Sequence, residues 1–154
     1  MTVTVYVPRD SSARAVGADE VAVALTAEAA RRGDDIRIVR NGSRGMLWLE
    51  PFIEVDVDST RIGYGPVQAG DVAELLDAGL LSGSDHALKQ GVVDELSWLA
   101  RQDRLMYARM GVIDPLDLAG YQAHGGLVGL RKAVAMVPQD VVDVVSASGL
   151  RGRG

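Results

Sequence analysis

The sequence predicts an α+β fold, a small mixed sheet flanked by helices and followed by a helical extension. Two observations carry that expectation. Over roughly the first 80 residues, short β-branched runs alternate with stretches patterned for helices, and beyond them the strand pattern stops. A hydrophobic fraction of 47% with 24% charged residues is ordinary for a globular chain and argues against wholesale disorder.

The elements follow in order. VTVYV (3–7) is a β-branched and aromatic run ended by Pro8, which reads as a buried strand, and residues 9–16 are small and polar, a loop. From Gly17 to Arg32 an alanine-rich stretch opens with Asp19 and Glu20 and closes with Arg31, Arg32 and Gly33. Acids first, bases last and a glycine just beyond are helix signals, with Val21, Leu25 and Ala29 on the core face. IRIV (36–39) is a second strand and NGSRG (41–45) a glycine-rich loop. FIEVDV (52–57) and RIGYG (61–65) flank a short turn as an antiparallel hairpin, and AGDVAELLDAGL (69–80) is a short helix. This β-α-β-β-β-α order is the thioredoxin-like arrangement of elements.

SGSDH (82–86) reads as a linker. The spacing of Val92, Leu96, Leu99 and Met106 predicts a long amphipathic helix. A further helix is expected from the proline of IDPLDL (113–118), and two more over 126–136 and 138–147, the last with Pro138 in its first turn and Gly149 past its end. The expected division is therefore 1–82 and 83–154.

Charge and composition exclude several functions. The net charge of −5 is unevenly spread: residues 1–100 hold nine basic against 16 acidic side chains, and residues 101–154 hold seven against five. An acidic front half does not suit a nucleic-acid binder, since phosphate contacts demand a basic face. No apolar run approaches the roughly 20 residues that span a bilayer, and the start, MTVTVYVPRD, lacks a basic segment followed by an apolar one. A cytoplasmic location is the expectation. The chain has no cysteine, so disulfides, thiolate catalysis and cysteine-held zinc or iron–sulfur clusters are excluded within it.

Four local patterns invite a chemical reading. DVDST (56–60) matches the Asp-x-Asp-x-Thr nucleophile loop of aspartyl-phosphate chemistry, but no parallel-sheet context follows it, and Asp and Ser between two antiparallel strands read as a turn. GYGPVQAG (63–70) begins like a dinucleotide fingerprint but carries Gln68 where the third glycine belongs and Pro66 where the helix would start. His86 and His124 lack partners at metal-ligand spacing and read as surface or capping residues, and consecutive Ser84, Asp85 and His86 cannot align as a relay. No catalytic residue and no metal ligand is assigned. In SGLRGRG (148–154), glycines permit close approach of backbone to a nucleotide and arginines can fork onto phosphate, although a terminal tail with two arginines has the same composition.

Residues from about 92 to 154 resemble the segment leading into the flavin domain of NADH-binding flavoprotein (diaphorase) subunits of complex I-like enzymes. The matching marks are Gln102 and Arg104, the Gly111, Ile113, Asp114, Pro115 turn, Tyr121 with Gly125 and Gly126, and the helix ending in Ser148-Gly149-Leu150-Arg151-Gly152-Arg153-Gly154. In that family the last run continues into a glycine-rich loop beside FMN and NADH. The resemblance implies that this chain stops at the threshold of a nucleotide site, with Arg151, Gly152, Arg153 and Gly154 beside the cofactor.

The first half resembles the thioredoxin-like [2Fe-2S] ferredoxins that accompany such proteins. Their glycine and proline frame survives as Pro8, Ala13, Gly17-Ala18 and as Ser43-Arg44-Gly45-Met46-Leu47 with Pro51. The four cluster-ligand positions carry Pro8, Ala13, Ser43 and Leu47, none of them a thiolate. A ferredoxin frame without ligands ahead of a flavin segment is most similar to the β subunit of soluble NAD-dependent formate dehydrogenases. The resemblance implies a structural, subunit-docking role in this chain. FMN, NAD and iron–sulfur clusters belong to the parent enzyme, and sister subunits, a [2Fe-2S] ferredoxin among them, are the partners. The rival reading is a stand-alone interaction or assembly module without redox activity.

Overall fold

The computed structural model describes residues 2–152, which form two compact units, one reaching to Asp117 and one from Leu118 onward. In the first, strand β1 (Val3–Tyr6), the short helix α1 (Ser11–Ala15), helix α2 (Ala18–Arg32), strand β2 (Ile36–Val39), the hairpin β3 (Ile53–Val57) and β4 (Thr60–Tyr64), helix α3 (Val72–Asp77), strand β5 (Lys89–Val92) and helix α4 (Ser97–Ala100) follow in that order. The sheet order is β2-β1-β3-β4-β5, with β1 and β2 parallel and every other neighbour antiparallel. This is the expected α+β, thioredoxin-like architecture.

Helix α2 forms where its acids and bases complement the helix dipole, with Asp19 and Glu20 in its first turn and Arg31 and Arg32 in its last. Gly33 closes it in the left-handed region, and the backbone N–H groups past the helix end are satisfied at Ala29 and Ala30. Val21, Leu25 and Ala29 are buried in the core as expected. They pack with Val5, Val7, Ile53, Val55 and Tyr64 of the sheet and with Leu75 of α3.

Strand alternation sorts β3 cleanly. Ile53 and Val55 face this core, whereas Phe52 and Glu54 face the opposite side, where Phe52 joins a smaller cluster with Met46, Val93 and Leu99. The β3–β4 turn places Asp58 and Ser59 at positive φ, as a two-residue hairpin turn requires.

Four sequence expectations change. Residues 9–16 contain α1 rather than a bare loop. The long helix expected through Val92, Leu96, Leu99 and Met106 is absent: Val92 ends β5, a 3-10 turn covers Val93–Glu95, and α4 holds only four residues. Of the spaced residues, Leu96 and Leu99 pack into one small cluster, whereas Met106 is exposed. The KQGV run becomes a strand because the open edge of β4 pairs with it, Ile62 opposite Val92 and Gly63 opposite Gly91. The helix expected from Pro115 begins later, at Leu118, after Asp114 caps a turn by accepting from the Leu116 N–H at 2.9 Å.

The second unit comprises α5 (Leu118–Ala123), α6 (Val128–Ala133) and α7 (Pro138–Ala147), with Pro138 in the first turn of α7 and Gly149 at φ +66° beyond it. Gly126 closes onto α5: its N–H donates to the Tyr121 carbonyl at 2.7 Å, and a Cβ there would lie 2.4 Å from the tyrosine ring. The two compact units divide between Asp117 and Leu118.

Candidate functional site

The four positions that the ferredoxin resemblance singles out, 8, 13, 43 and 47, follow the C-terminal ends of the parallel pair β1 and β2. Pairing continues past the strands, with the Val7 N–H on the Val39 carbonyl and the Arg9 N–H on the Asn41 carbonyl, both at 2.9 Å. This draws residues 8–13 alongside residues 41–47. Pro8, Ala13 and Ser43 are buried, while Leu47 is 60% exposed. Three of the four therefore lie in the protein interior and the fourth faces solvent.

Oxygen atoms occupy the neighbourhood. Ser43 Oγ accepts from the Gly45 N–H at 2.9 Å, and the buried Glu50 accepts from the Phe52 N–H at 2.9 Å. Burial pushes the Glu50 carboxyl up from its ordinary value, opposed by hydrogen bonds from Ser43 and Phe52 and reinforced by the charges of Asp10 and Glu54. Asp10 accepts from the Ser12 hydroxyl. A [2Fe-2S] cluster does not fit this residue set, because proline, alanine and leucine offer iron no ligand atom and a serine alone cannot replace four thiolates. Among the described residues, no group of three or more His, Asp or Glu side chains is placed to hold a metal.

What stands beside these loops is a clamp of charges. Arg44, in the loop, grips Glu54 of β3 through two hydrogen bonds, Nε to Oε1 and Nη2 to Oε2, each 2.8 Å. Arg61 of β4 donates to the same carboxylate at 3.0 Å, and its guanidinium lies 3.6 Å over the Tyr6 ring. Glu54 is fully buried and Arg44 nearly so. Two cations on one buried carboxylate satisfy both its oxygens, and the Arg44 fork does so bidentately, the geometry in which such a pair is strongest.

The clamp holds the turn that begins at Gly111. Arg61 donates to the Gly111 carbonyl at 3.0 Å and to the Val112 carbonyl at 2.6 Å, and Asn41 Nδ2 donates to the Gly111 carbonyl at 2.7 Å. Gly111 sits at φ +78°, and a Cβ there would come within 2.3 Å of Arg44 Cδ. Glycine is required at this position on both counts. Arg104 adds a bond from Nη2 to the Arg44 carbonyl at 2.6 Å.

Sequence reasoning singled out Gly111 and Arg104 but missed the carboxylate that ties them to the sheet. The signal was present, an acid at position 54 in the apolar run FIEVDV, on the face it shares with Phe52.

The other sequence candidates take ordinary roles. Gly63 and Gly65 are needed because Phe52 and Leu49 lie against them: a Cβ at 63 would be 2.2 Å from Phe52 Cζ, and one at 65 would be 2.4 Å from the Leu49 carbonyl oxygen. His86 Nδ1 accepts from the Leu88 N–H at 3.1 Å, and His124 Nδ1 lies 2.8 Å from the Gly120 carbonyl. The Ser84 carbonyl accepts from the Tyr64 hydroxyl at 2.7 Å, so Ser84, Asp85 and His86 form no relay. Arg151 and Gly152 lie exposed beyond α7, and Arg153 and Gly154 fall outside the described residues.

With this geometry in view, comparisons with known proteins define the class first. The fold is that of the thioredoxin-like ferredoxins. A cysteine-to-serine variant of the thioredoxin-like [2Fe-2S] ferredoxin from Aquifex aeolicus superposes with a TM-score of 0.50 at 23% identity, covering 58% of this chain and 98% of that one. A second structure of a thioredoxin-like [2Fe-2S] ferredoxin from the same organism gives 0.51 at 20% identity, covering 62% and 96%.

The sequence relatives then point to larger proteins. The chain is 46% identical over 54 residues to the HndC component of the NADP-reducing hydrogenase of Solidesulfovibrio fructosivorans, a match spanning 35% of this chain and 11% of that protein. It is 59% identical over 34 residues to one of the NADH-quinone oxidoreductase subunits of Streptomyces coelicolor, spanning 22% and 8%. The chain therefore spans about a tenth of the length of these curated relatives. No family model matches it. Among the described residues, no helix is long and apolar enough to cross a membrane.

Proposed function

We propose that this chain is the N-terminal structural and subunit-docking region of an NADH:FMN oxidoreductase (diaphorase) subunit, of the type found in soluble NAD-dependent formate dehydrogenases. In the intact parent, electrons would pass between NAD(H), FMN and iron–sulfur clusters, and the protein would work in the cytoplasm. The observation that carries this reading is a conjunction. A ferredoxin-like frame without a thiolate at any ligand position shares one chain with partial sequence relatives among hydrogenase and NADH-quinone oxidoreductase subunits.

Within that reading, residues 1–82 supply a cluster-less thioredoxin-like scaffold and residues 83–154 supply the helical lead-in to the flavin domain. The Glu54 clamp supports this by fixing the Gly111 turn onto the sheet. Arg151, Gly152, Arg153 and Gly154 would lie at the edge of the nucleotide site. The 154 residues alone are inactive and bind neither FMN nor NADH appreciably, since a few glycines cannot enclose a cofactor.

Two measurements test this. In the coding sequence past Gly154, an in-frame Gly-Ala-Gly-Phe-Pro supports the diaphorase, whereas an immediate stop codon favours a stand-alone interaction module. Titration of the isolated chain with FMN or NADH is expected to give no saturable signal at micromolar concentrations, and tight binding would contradict a purely structural role.

A further inference from the structure

The first unit leaves one surface uncovered that its own core does not explain. Leu47, the one of those four positions that faces solvent, is followed by Trp48, and Trp48 meets Trp98 edge to face with ring centroids 5.3 Å apart at 88°. Both rings stay open to solvent, Trp48 at 59% and Trp98 at 50% exposure. Beside them lie a hollow of about 390 Å³ lined by Trp48, Ser97, Trp98, Arg101 and Gln102, and another of about 320 Å³ that includes Trp98, Tyr107 and Met110. Two tryptophans, a tyrosine and a methionine bordered by arginines have the composition of an interface centre rather than of ordinary solvent-facing surface.

The charge of this surface says what covers it. In a chain of net charge −5, the side chains lining these hollows and the adjoining one of about 310 Å³ include Arg44, Arg101 and Arg104 against a single acid, Asp94. Arg44 is already engaged by Glu54, but Arg101 is exposed, and among the described residues the hydrogen bonds of Arg104 go to neutral groups: Gln102 Oε1 at 3.0 Å and the carbonyls of Arg44 and Met110. Gln102 also donates to the Trp98 backbone carbonyl at 2.9 Å, so one side chain links Arg104 to the backbone that carries Trp98. A preorganised apolar centre with cations on its rim complements an apolar projection ringed by carboxylates.

We propose that the Trp48–Trp98 surface is the docking site for a sister subunit of the parent oxidoreductase, one that presents an apolar side chain encircled by Asp and Glu. This rests on the functional reading above and adds to it the place of contact and the chemistry of the partner.

The test uses the parent complex, isolated from the source cells through a tag on the protein that contains this chain. Wild type is compared with the double variant Trp48→Ala/Trp98→Ala and with Arg101→Glu. All these side chains are exposed, so unchanged melting of the isolated chain checks that each variant folds. Native mass spectrometry is expected to show sister subunits retained by wild type and reduced about tenfold or more by the double variant. The Arg101→Glu variant should weaken retention most at low salt. Hydrogen exchange at residues 97–107 should be slowed in the complex and restored when sister subunits are stripped away.

Full retention in both variants overturns the proposal. So does slowed exchange that persists in the stripped parent chain, which would make that chain's own continuation the occupant. Tryptophan-dependent self-association of the isolated chain in sedimentation overturns it too, assigning the surface to a second copy. A tagged protein that carries no oxidoreductase partner sinks the functional reading itself, and the surface assignment with it. An intact complex indifferent to the tryptophan variants sinks the surface alone.

Discussion

The two compact units of this chain contain the same kinds of apolar residue and use them differently. Up to Asp117, β-branched and leucine side chains from the sheet, α2 and α3 converge on one core, and a second small cluster closes the opposite face of the sheet. From Leu118 onward, α5, α6 and α7 bury no residue at all, and Val134, Val142, Val144 and Val145 are exposed. Burying one such side chain contributes about 1.5–3 kcal/mol. The first unit gains that many times over, and the helices of the second gain almost none of it by themselves. The difference separates a unit that stabilises itself by burial from one whose apolar side chains stay largely exposed. Helices this short are marginal in water without packing.

Substitutions sharpen the comparison. The largest effect is expected where the first unit concentrates charge. Glu54→Ala leaves the buried Arg44 and the half-buried Arg61 without their carboxylate, and should cost about 3–5 kcal/mol in urea denaturation of the chain. A loss under about 1 kcal/mol would show that water enters the clamp freely and that the Gly111 turn is not held by it.

A single type of change should then act with opposite sign in the two units. Gly63→Ala drives a methyl group into the Phe52 ring and should destabilise the first unit by about 1–3 kcal/mol. Gly129→Ala in α6 meets open space and should raise helix content, worth about 0.5–1 kcal/mol of local helix stability. Circular dichroism reads the second and chemical denaturation the first. Equal effects at both sites would erase the distinction between the two units.

The smallest effect is one of pH. Burial raises the Glu50 carboxyl above its ordinary value of 4.5, so the folded chain holds a proton that the unfolded chain releases. Stability from this group is fully present below pH 4.5 and is lost as pH rises through the raised folded-state value. Glu50→Gln should flatten that decline while keeping the acceptor for the Phe52 N–H, and identical pH profiles for the two proteins would remove Glu50 as its source.

Much of this was legible in the residues. Strands β1 and β2, helix α2 and the β3–β4 hairpin announce themselves because their information is local: periodicity, helix-end charges and turn residues lie close together along the chain. Strand β5 was not legible, since KQGV lacks a strand pattern and extends only because β4 offers it a free edge. At the candidate site, the absence of any thiolate at positions 8, 13, 43 and 47 was plain from residue identity. The fate of those positions was not, because whether an apolar side chain turns inward or outward depends on what else fills the space.

By itself, then, the sequence determined the fold class, the course of the first four strands and the absence of any cysteine thiolate, all properties of residue type and short-range pattern. Only the tertiary structure decided that Arg44 and Arg61 would meet on Glu54, that this trio would seize the Gly111 turn, and that Leu47 and Trp48 would face outward. Those outcomes join residues 7 to 60 positions apart, and they are settled by how strands and loops stack, because a buried charge takes whatever partner the packing brings within reach.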